Sequence, residues 1–247
     1  MKEISKKNTS FYTNEPFTVF EIKNFLADEN YLELLRTFPI EKKFGNSKDG
    51  NVIDPNTEYY VDHLEKNEIW KNFILSLNNE KFISNAYIFS LLPSIKARGL
   101  KALKKWTVRE KNFLSKKFFR KVSVEAHFTI QRKGEYLHLH TDAKSKLLSM
   151  IFYFADENTN LQNSGTEFWK NIKNPNLWKN WENKHIINKN ELDKFKLDNK
   201  VFFKSIFEKN KLVGFIKSDN SWHSVLDHNI EEGEVRRAFV INIREAH

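Results

Sequence analysis

From Lys121 onward the chain is written almost entirely in short strands. "KVSVEAHFTIQ" (121–131) alternates polar with apolar residues and is rich in β-branched and aromatic types, the pattern of a strand with one buried face. "EYLHLH", "KLLSMIFYF", "KVFFKSIF", "KLVGFIK", "SWHSVL" and "RRAFVINI" follow. Strands this close, mostly without helices between them, cannot build parallel βαβ units. An antiparallel double-sheet barrel or jelly roll is the expected solution. "EKNK" at 208–211 reads as a hairpin turn between its flanking strands.

The first half has a different period. "LADENYLELLRTFP" (26–39) places Tyr31, Leu34, Leu35 and Phe38 on one helical face, with Asp28 as the expected N-cap and Pro39 as the stop. "EIWKNFILSL" and "KFISNAYIFSLLPSIKARGLKALKKW" continue in that style, with Pro93 expected to kink a helix or begin a new one. The expected fold is α+β, one domain over 1–247. Residues 1–121 form a mainly helical part packed on one sheet, and 122–247 form the jelly-roll core. A long insertion, 170–199, carries Trp178 and Trp181. An ordered lid and a helical surface decoration both account for those tryptophans.

At 247 residues, one hydrophobic core is sufficient. There is no cysteine, which excludes disulfides, thiolate metal sites and cysteine nucleophiles. No apolar stretch is long enough to span a bilayer, and "MKEISKKNTS" lacks the apolar core of a secretory signal, so the cytoplasm is the default expectation. The net charge of +9 is uneven: Lys96 to Lys121 holds eleven Lys or Arg against the single acid Glu110. Such a run attracts phosphates, nucleic acid or another anionic surface, and a plain solvated helical face is the alternative.

Within the strands, "HLHTD" (138–142) is out of character. His140 and Asp142 stand two apart where a strand leaves its sheet, so both side chains can reach one point. "NSWHSVL" supplies a further histidine, His223. Two imidazoles and one carboxylate on one face of an octahedral ion leave three positions open, the geometry of non-haem Fe(II) oxygenases. His-any-Asp alone is a weak signal, since a strand histidine is more commonly packed or solvated.

Taken in order, "IQRKGEYLHLHTDAKSKLLSMIFYF", "SGTEFW", "VGFIKSDNSWHSV" and "EVRRAFVINI" resemble the Fe(II)/2-oxoglutarate-dependent oxygenase superfamily, nearest its prolyl-hydroxylase-like branch. "PFTVFEIKNFLADENYLELLRTFP" is similar to the entry helix that precedes that fold. The likeness covers roughly 16–39 and 122–244 and leaves the middle unmatched. It implies a double-stranded β-helix fold and a hydroxylase with iron at His140, Asp142 and His223. The cosubstrates would be 2-oxoglutarate and O2, with ascorbate admitted as an auxiliary reductant and succinate and CO2 as products. The resemblance also implies a basic residue on the last core strand that holds the far carboxylate of 2-oxoglutarate. Arg236 and Arg237 compete for that role, and the Arg-any-Ala-apolar pattern favours Arg236. Tyr153 matches a position whose hydroxyl helps hold the same carboxylate. Gln131 stands where relatives carry tyrosine. Gly165 and Thr166 match a structural turn.

Strand parity extends the reading. If Arg236 points inward, so do Ala238, Val240 and Asn242, while Arg237 faces out. If Gln131 faces the cavity, so do Thr129, His127 and Glu125, which makes Glu125, His127, Thr129 and Asn242 the candidate substrate contacts. His138 is a candidate neighbour of the ligands, and Trp222 a packing residue. The substrate stays open between a small molecule, a glycan, a peptidyl side chain and a nucleic acid. Asp142 favours hydroxylation over halogenation, with demethylation and desaturation open. Two other readings compete: a nucleic-acid-binding or nucleic-acid-modifying protein using 96–121, and a non-catalytic jelly-roll binding module.

Overall fold

The computed structural model describes residues 9–13, 15–45, 51–110, 115–156, 161–174, 176–226 and 230–246. In chain order these form β1 (Thr9–Thr13), β2 (Val19–Ile22), α1 (Asp28–Arg36), β3 (Asn51–Ile53), α2 (Glu58–Lys66), α3 (Glu68–Leu77), α4 (Glu80–Arg98) and β4 (Lys105–Thr107). Then come β5 (Phe119–Gln131), β6 (Leu137–Thr141), β7 (Lys146–Tyr153), β8 (Glu167–Asn171), β9 (Lys184–Ile186), α5 (Lys189–Asp198), β10 (Asn199–Lys204), β11 (Leu212–Ile216), β12 (His223–Val225) and β13 (Arg236–Glu245).

Two sheets result. The larger runs β1-β2-β11-β7-β13-β5-β3, with β4 joining β5 in parallel, and the smaller runs β10-β8-β12-β6-β9. From β5 to β8 successive strands alternate between the sheets, and so do β10 to β13, which is the double-sheet wrapping of a jelly roll. The segment before residue 121 is helical as expected, but it also donates β1, β2, β3 and β4 to the larger sheet.

Side-chain alternation on the central strands sorts the core into layers. Phe239, Ile241 and Ile243 of β13 point to the helices, as do Phe128 of β5 and Phe152 of β7, and they join Tyr31, Phe38, Trp70 and Phe73 in one cluster. Ala238, Ile151, Tyr153, Val213 and Phe215 point the other way and fill the space toward the smaller sheet. A third cluster, Leu139, Trp169, Trp178, Ile186, Phe195 and Trp222, covers the outer face of the smaller sheet.

Several local expectations change. Asp28 is the first helical residue rather than the cap; Ala27 is the N-cap, and the Asp28 carboxylate instead accepts from Asn210 Nδ2 at 3.2 Å. Pro93 lies inside α4 without ending it. The turn at 208–211 is not a hairpin, because β10 belongs to the smaller sheet and β11 to the larger. Asn210, at φ 53, has its side chain clasped to the backbone of Leu26 through Nδ2 to the carbonyl and from the amide to Oδ1, 2.9 Å each, so this crossing between sheets is tied to the N-terminal segment. The insertion is ordered: β9 is an edge strand, α5 is capped by Asn188, and Trp178 and Phe195 anchor both in the third cluster.

Trp70 is fully buried, with its ring 4.6 Å from Phe128, 5.1 Å from Phe239 and 5.4 Å from Phe154. It joins α3 to three of the large sheet's segments. Trp70→Ala is expected to cost about 3–5 kcal/mol, the usual range for a large aromatic lost from a core, read as a lowered midpoint in chemical denaturation.

Candidate metal centre

His140, Asp142 and His223 come together although 83 residues separate the first and last of them. β12 lies antiparallel to β6 with His140 and His223 directly opposite, and their ring centroids are 4.1 Å apart. Asp142 follows β6 by one residue. One ligand atom from each of the three lies within 4.8 Å of the others, and all three residues are buried.

Each imidazole is held by its own neighbourhood. Nδ1 of His140 donates to the carbonyl of His138 at 2.8 Å, and Nδ1 of His223 to that of Ser221 at 3.0 Å. A proton on Nδ1 leaves the Nε2 lone pair free for a cation, and a carbonyl behind each ring is the usual support of a ligating histidine. Burial pushes both rings below the ordinary histidine range, which keeps them neutral and able to ligate. Burial acts on Asp142 in the opposite sense, but the ammonium of Lys146, close by and hydrogen-bonded to the carboxylate, outweighs it and holds the carboxyl well below the usual range. Lys146 Nζ contacts Oδ1 at 2.6 Å and Ser149 Oγ donates to Oδ2 at 2.7 Å. The donor set, its tautomers and its ionised carboxylate fit a divalent cation.

The same cavity, about 140 Å³, is lined by Gln131, His127, Thr129, Val240, Asn242 and Arg236 as well. Parity holds on β13: Arg236, Val240 and Asn242 face the cavity, and Arg237 lies outside, half exposed and 4.0 Å from Asp156. Arg236 is 3% exposed. Its Nε donates to the Ser164 carbonyl at 2.6 Å, and its guanidinium lies over the rings of Tyr153 and Phe207 at 5.2 and 5.4 Å. Among the described residues no carboxylate pairs with it, and burial lowers its pKa.

The Tyr153 hydroxyl meets Thr166 Oγ1 at 2.9 Å and Ser205 Oγ at 2.5 Å and accepts from the Thr166 amide; its side chain also interacts with Arg236, whose guanidinium lies over its ring, but it is not part of the cavity lining. Gly165 is required for that arrangement, because a Cβ there would stand 1.7 Å from the Ser205 carbonyl oxygen. Glu125 is also outside the cavity lining and is bonded to Arg244. Among the described residues, three buried atoms on the cavity wall have no hydrogen-bond partner: Gln131 Oε1, His127 Nδ1 and Asn242 Oδ1.

Three neighbours escaped sequence reasoning. Lys146 and Ser149 hold the Asp142 carboxylate, and Ser149 could have been found as the polar residue sharing inward parity with Ile151 and Tyr153. His185, from the insertion, stacks on His140 at 4.9 Å and 9° because β9 pairs with β6 in that register. No pattern in the sequence announced it. His138 is buried with its ring edge-on to Tyr136, and Trp222 packs in the third cluster.

No protein-family model matches the chain, and no curated protein matches it by sequence. Similar solved structures include a prolyl-4-hydroxylase from Pseudomonas putida, at 10% identity over 93% of each chain with a TM-score of 0.49. Another is the prolyl hydroxylase from Trichoplax adhaerens in complex with a hypoxia inducible factor peptide fragment, at 10% identity over 92% of this chain and 83% of that one, TM-score 0.44. HygX from Streptomyces hygroscopicus, with nickel and 2-oxoglutarate bound, is 9% identical over 92% and 83% with a TM-score of 0.45. At this distance any chemistry must be argued from the residues themselves.

Burial gives a clear pH dependence. His140 and His223 are held below the ordinary histidine range, and His127 is pushed down to about 4. Between the folded and unfolded pKa values the unfolded chain binds more protons, so this stability is fully present above the unfolded value and is lost as pH falls through the window beneath it. Asp142 acts in the same direction at lower pH. The metal-free protein is expected to unfold at progressively lower urea concentration between pH 7 and pH 5, and a flat profile would contradict a buried neutral triad.

Proposed function

We propose that the protein is an Fe(II)- and 2-oxoglutarate-dependent dioxygenase that hydroxylates a substrate with release of succinate and CO2. The observation that carries this reading is Arg236: a buried guanidinium with no carboxylate partner, in the cavity that holds His140, Asp142 and His223. An unpaired buried cation costs several kcal/mol unless an anion meets it. A metal-chelating dicarboxylate satisfies both ends of this cavity at once.

In this reading His140, Asp142 and His223 hold the iron, and Arg236 takes the far carboxylate in bidentate fashion. Bound iron supplies the O2 activation that couples oxidative decarboxylation of 2-oxoglutarate to oxidation of a substrate C–H bond. The chain's own task is placement and exclusion of water. Tyr153 and Phe207 hold the guanidinium plane, and the Ser164 carbonyl fixes its Nε. Lys146 keeps Asp142 ionised, and Ser149 sets its orientation. Gln131, opposite Arg236 in the β5–β13 register, is placed for the cosubstrate. His127, Thr129 and Asn242 face the remaining space and serve as substrate contacts.

An anaerobic titration of the metal-free protein with Fe(II) and 2-oxoglutarate is expected to develop the visible charge-transfer band of the chelate. Arg236→Ala should weaken 2-oxoglutarate binding by at least about tenfold, as expected for losing a charge-assisted pair, while Arg237→Ala leaves it unchanged. A folded protein with no band would make this a non-catalytic jelly-roll module. Ser149→Ala is expected to loosen divalent-metal binding by about 10-fold, the lower end for a lost ligand-orienting bond, measured with Co(II).

A further inference from the structure

The basic run of 96–121 contributes no side chain to the cavity lining, and the fold separates its paired side chains from those left exposed. Lys96, Arg109, Arg120 and Lys121 are neutralised by Glu15, Glu80, Glu245 and Glu110. Arg98 turns inward to the carbonyls of Lys144 and Lys146. Lys101, Lys104, Lys105 and Lys117 are exposed and, among the described residues, have no carboxylate partner, while the exposed Lys116 lies within electrostatic reach of Glu110. Their positive charge is therefore left over on one face.

That face also carries apolar tips. Leu100 is 80% exposed, Phe118 69% and Leu103 49%. They are neighbours, because the backbone amide of Lys105 donates to the Phe118 carbonyl at 2.9 Å and β4 lies beside the start of β5. Between Leu100 and Leu103 on one side and Phe118 on the other opens a groove of about 530 Å³, rimmed by Lys104, Lys105 and Lys117. A contiguous apolar surface ringed by polar groups marks an interaction site.

We propose that this face docks the protein onto an anionic lipid surface. The lysines meet the phosphate and carboxylate head groups, with their stems lying along the apolar rim, while Leu100, Leu103 and Phe118 enter the boundary of the acyl layer. Charge alone would suit a nucleic acid equally. The tips decide the matter: two of the three are aliphatic and offer no flat face for a base to stack on, whereas single-strand binding grooves are built on aromatic platforms. None of the groove residues lines the cavity that holds His140, Asp142 and His223.

The test is flotation of the full metal-free chain with vesicles of phosphatidylcholine alone or with about one-third phosphatidylserine, in about 0.1 M salt where surface charge still acts over roughly 10 Å. Binding is expected only to the phosphatidylserine vesicles. Lys104→Gln with Lys105→Gln should weaken it about 25-fold, about fivefold for each lysine at the surface. Leu100→Ser with Phe118→Ser, which leaves the charge untouched, should weaken it at least about tenfold. All four side chains are exposed or half-exposed, so an unchanged thermal midpoint confirms that the variants fold. No vesicle binding, or equal binding by the wild type and the Leu100/Phe118 variant, overturns the proposal. So does salt-sensitive binding of a short single-stranded RNA in place of vesicles, which would assign the face to nucleic acid. Because the readout needs neither iron nor 2-oxoglutarate, its failure is separate from any failure of the dioxygenase reading.

Discussion

The register of β13 is the constraint on which the rest of this structure depends. It pairs with β5 from Arg236 opposite Gln131 to Glu245 opposite Val122, and with β7 from Ala238 opposite Tyr153. One face of β13 supplies Phe239, Ile241 and Ile243 to the helix-covered core. The other presents Arg236, Val240 and Asn242 to the cavity. A slip of one residue would drive Arg236 into the phenylalanine cluster and turn Phe239 toward the candidate metal ligands. The aromatic packing of Trp70, Phe128 and Phe239 therefore does more than stabilise the domain, because it selects the register that aims the guanidinium.

Electrostatics in the cavity follow from the same burial. Arg236, Asp142, His140 and His223 are all largely withdrawn from water. In that setting Asp142 is held ionised by Lys146 at one oxygen and oriented by Ser149 at the other, while the histidines remain neutral. Arg236 is met by the Ser164 carbonyl and the rings of Tyr153 and Phe207, and by no carboxylate among the described residues. The cavity thus combines a compensated anionic cluster with an uncompensated cation, and between them lie amide and imidazole atoms whose hydrogen bonds are unmade. A site in this condition is complementary to a ligand carrying negative charge at one end and polar groups along its length.

The insertion and the N-terminal helices close the two outer faces of the sandwich. Without β9, β6 would be an edge strand, and His140 would sit on it with one flank open. Pairing with β9 covers that edge and lays His185 against the His140 ring. The tryptophans and Phe195 of the third cluster fix this strap by packing, with Trp178 also donating to Asp198 at 2.9 Å. The lysine-rich face stays bare, with the side chains of Leu100, Leu103 and Phe118 between 49% and 80% exposed.

Local pattern was enough to read most strands of the second half, the jelly-roll class and the shared parity of Arg236, Val240 and Asn242, because a period of two and a hydrophobic face are properties of consecutive residues; the grouping of His140, Asp142 and His223 came from the resemblance of several motifs in order, not from spacing. The strands contributed by β1 to β4, the crossing at 208–211 and the alternative bond of Asp28 to Asn210 were not legible, since each depends on a partner distant in the chain. The same holds around the cavity. Tyr153 could be placed on the inward face from its sequence, but the Thr166 amide and the Ser205 hydroxyl decide where its hydroxyl points. Glu125 had the right parity and was still drawn out of the cavity by Arg244. His185 stands beside His140 only because the insertion returns as an edge strand. What the sequence by itself determined is which face of each strand a side chain occupies. Only the tertiary structure decided which polar groups find partners there and which are left for a ligand, because hydrogen bonds and ion pairs are set by approach in space and not by spacing along the chain.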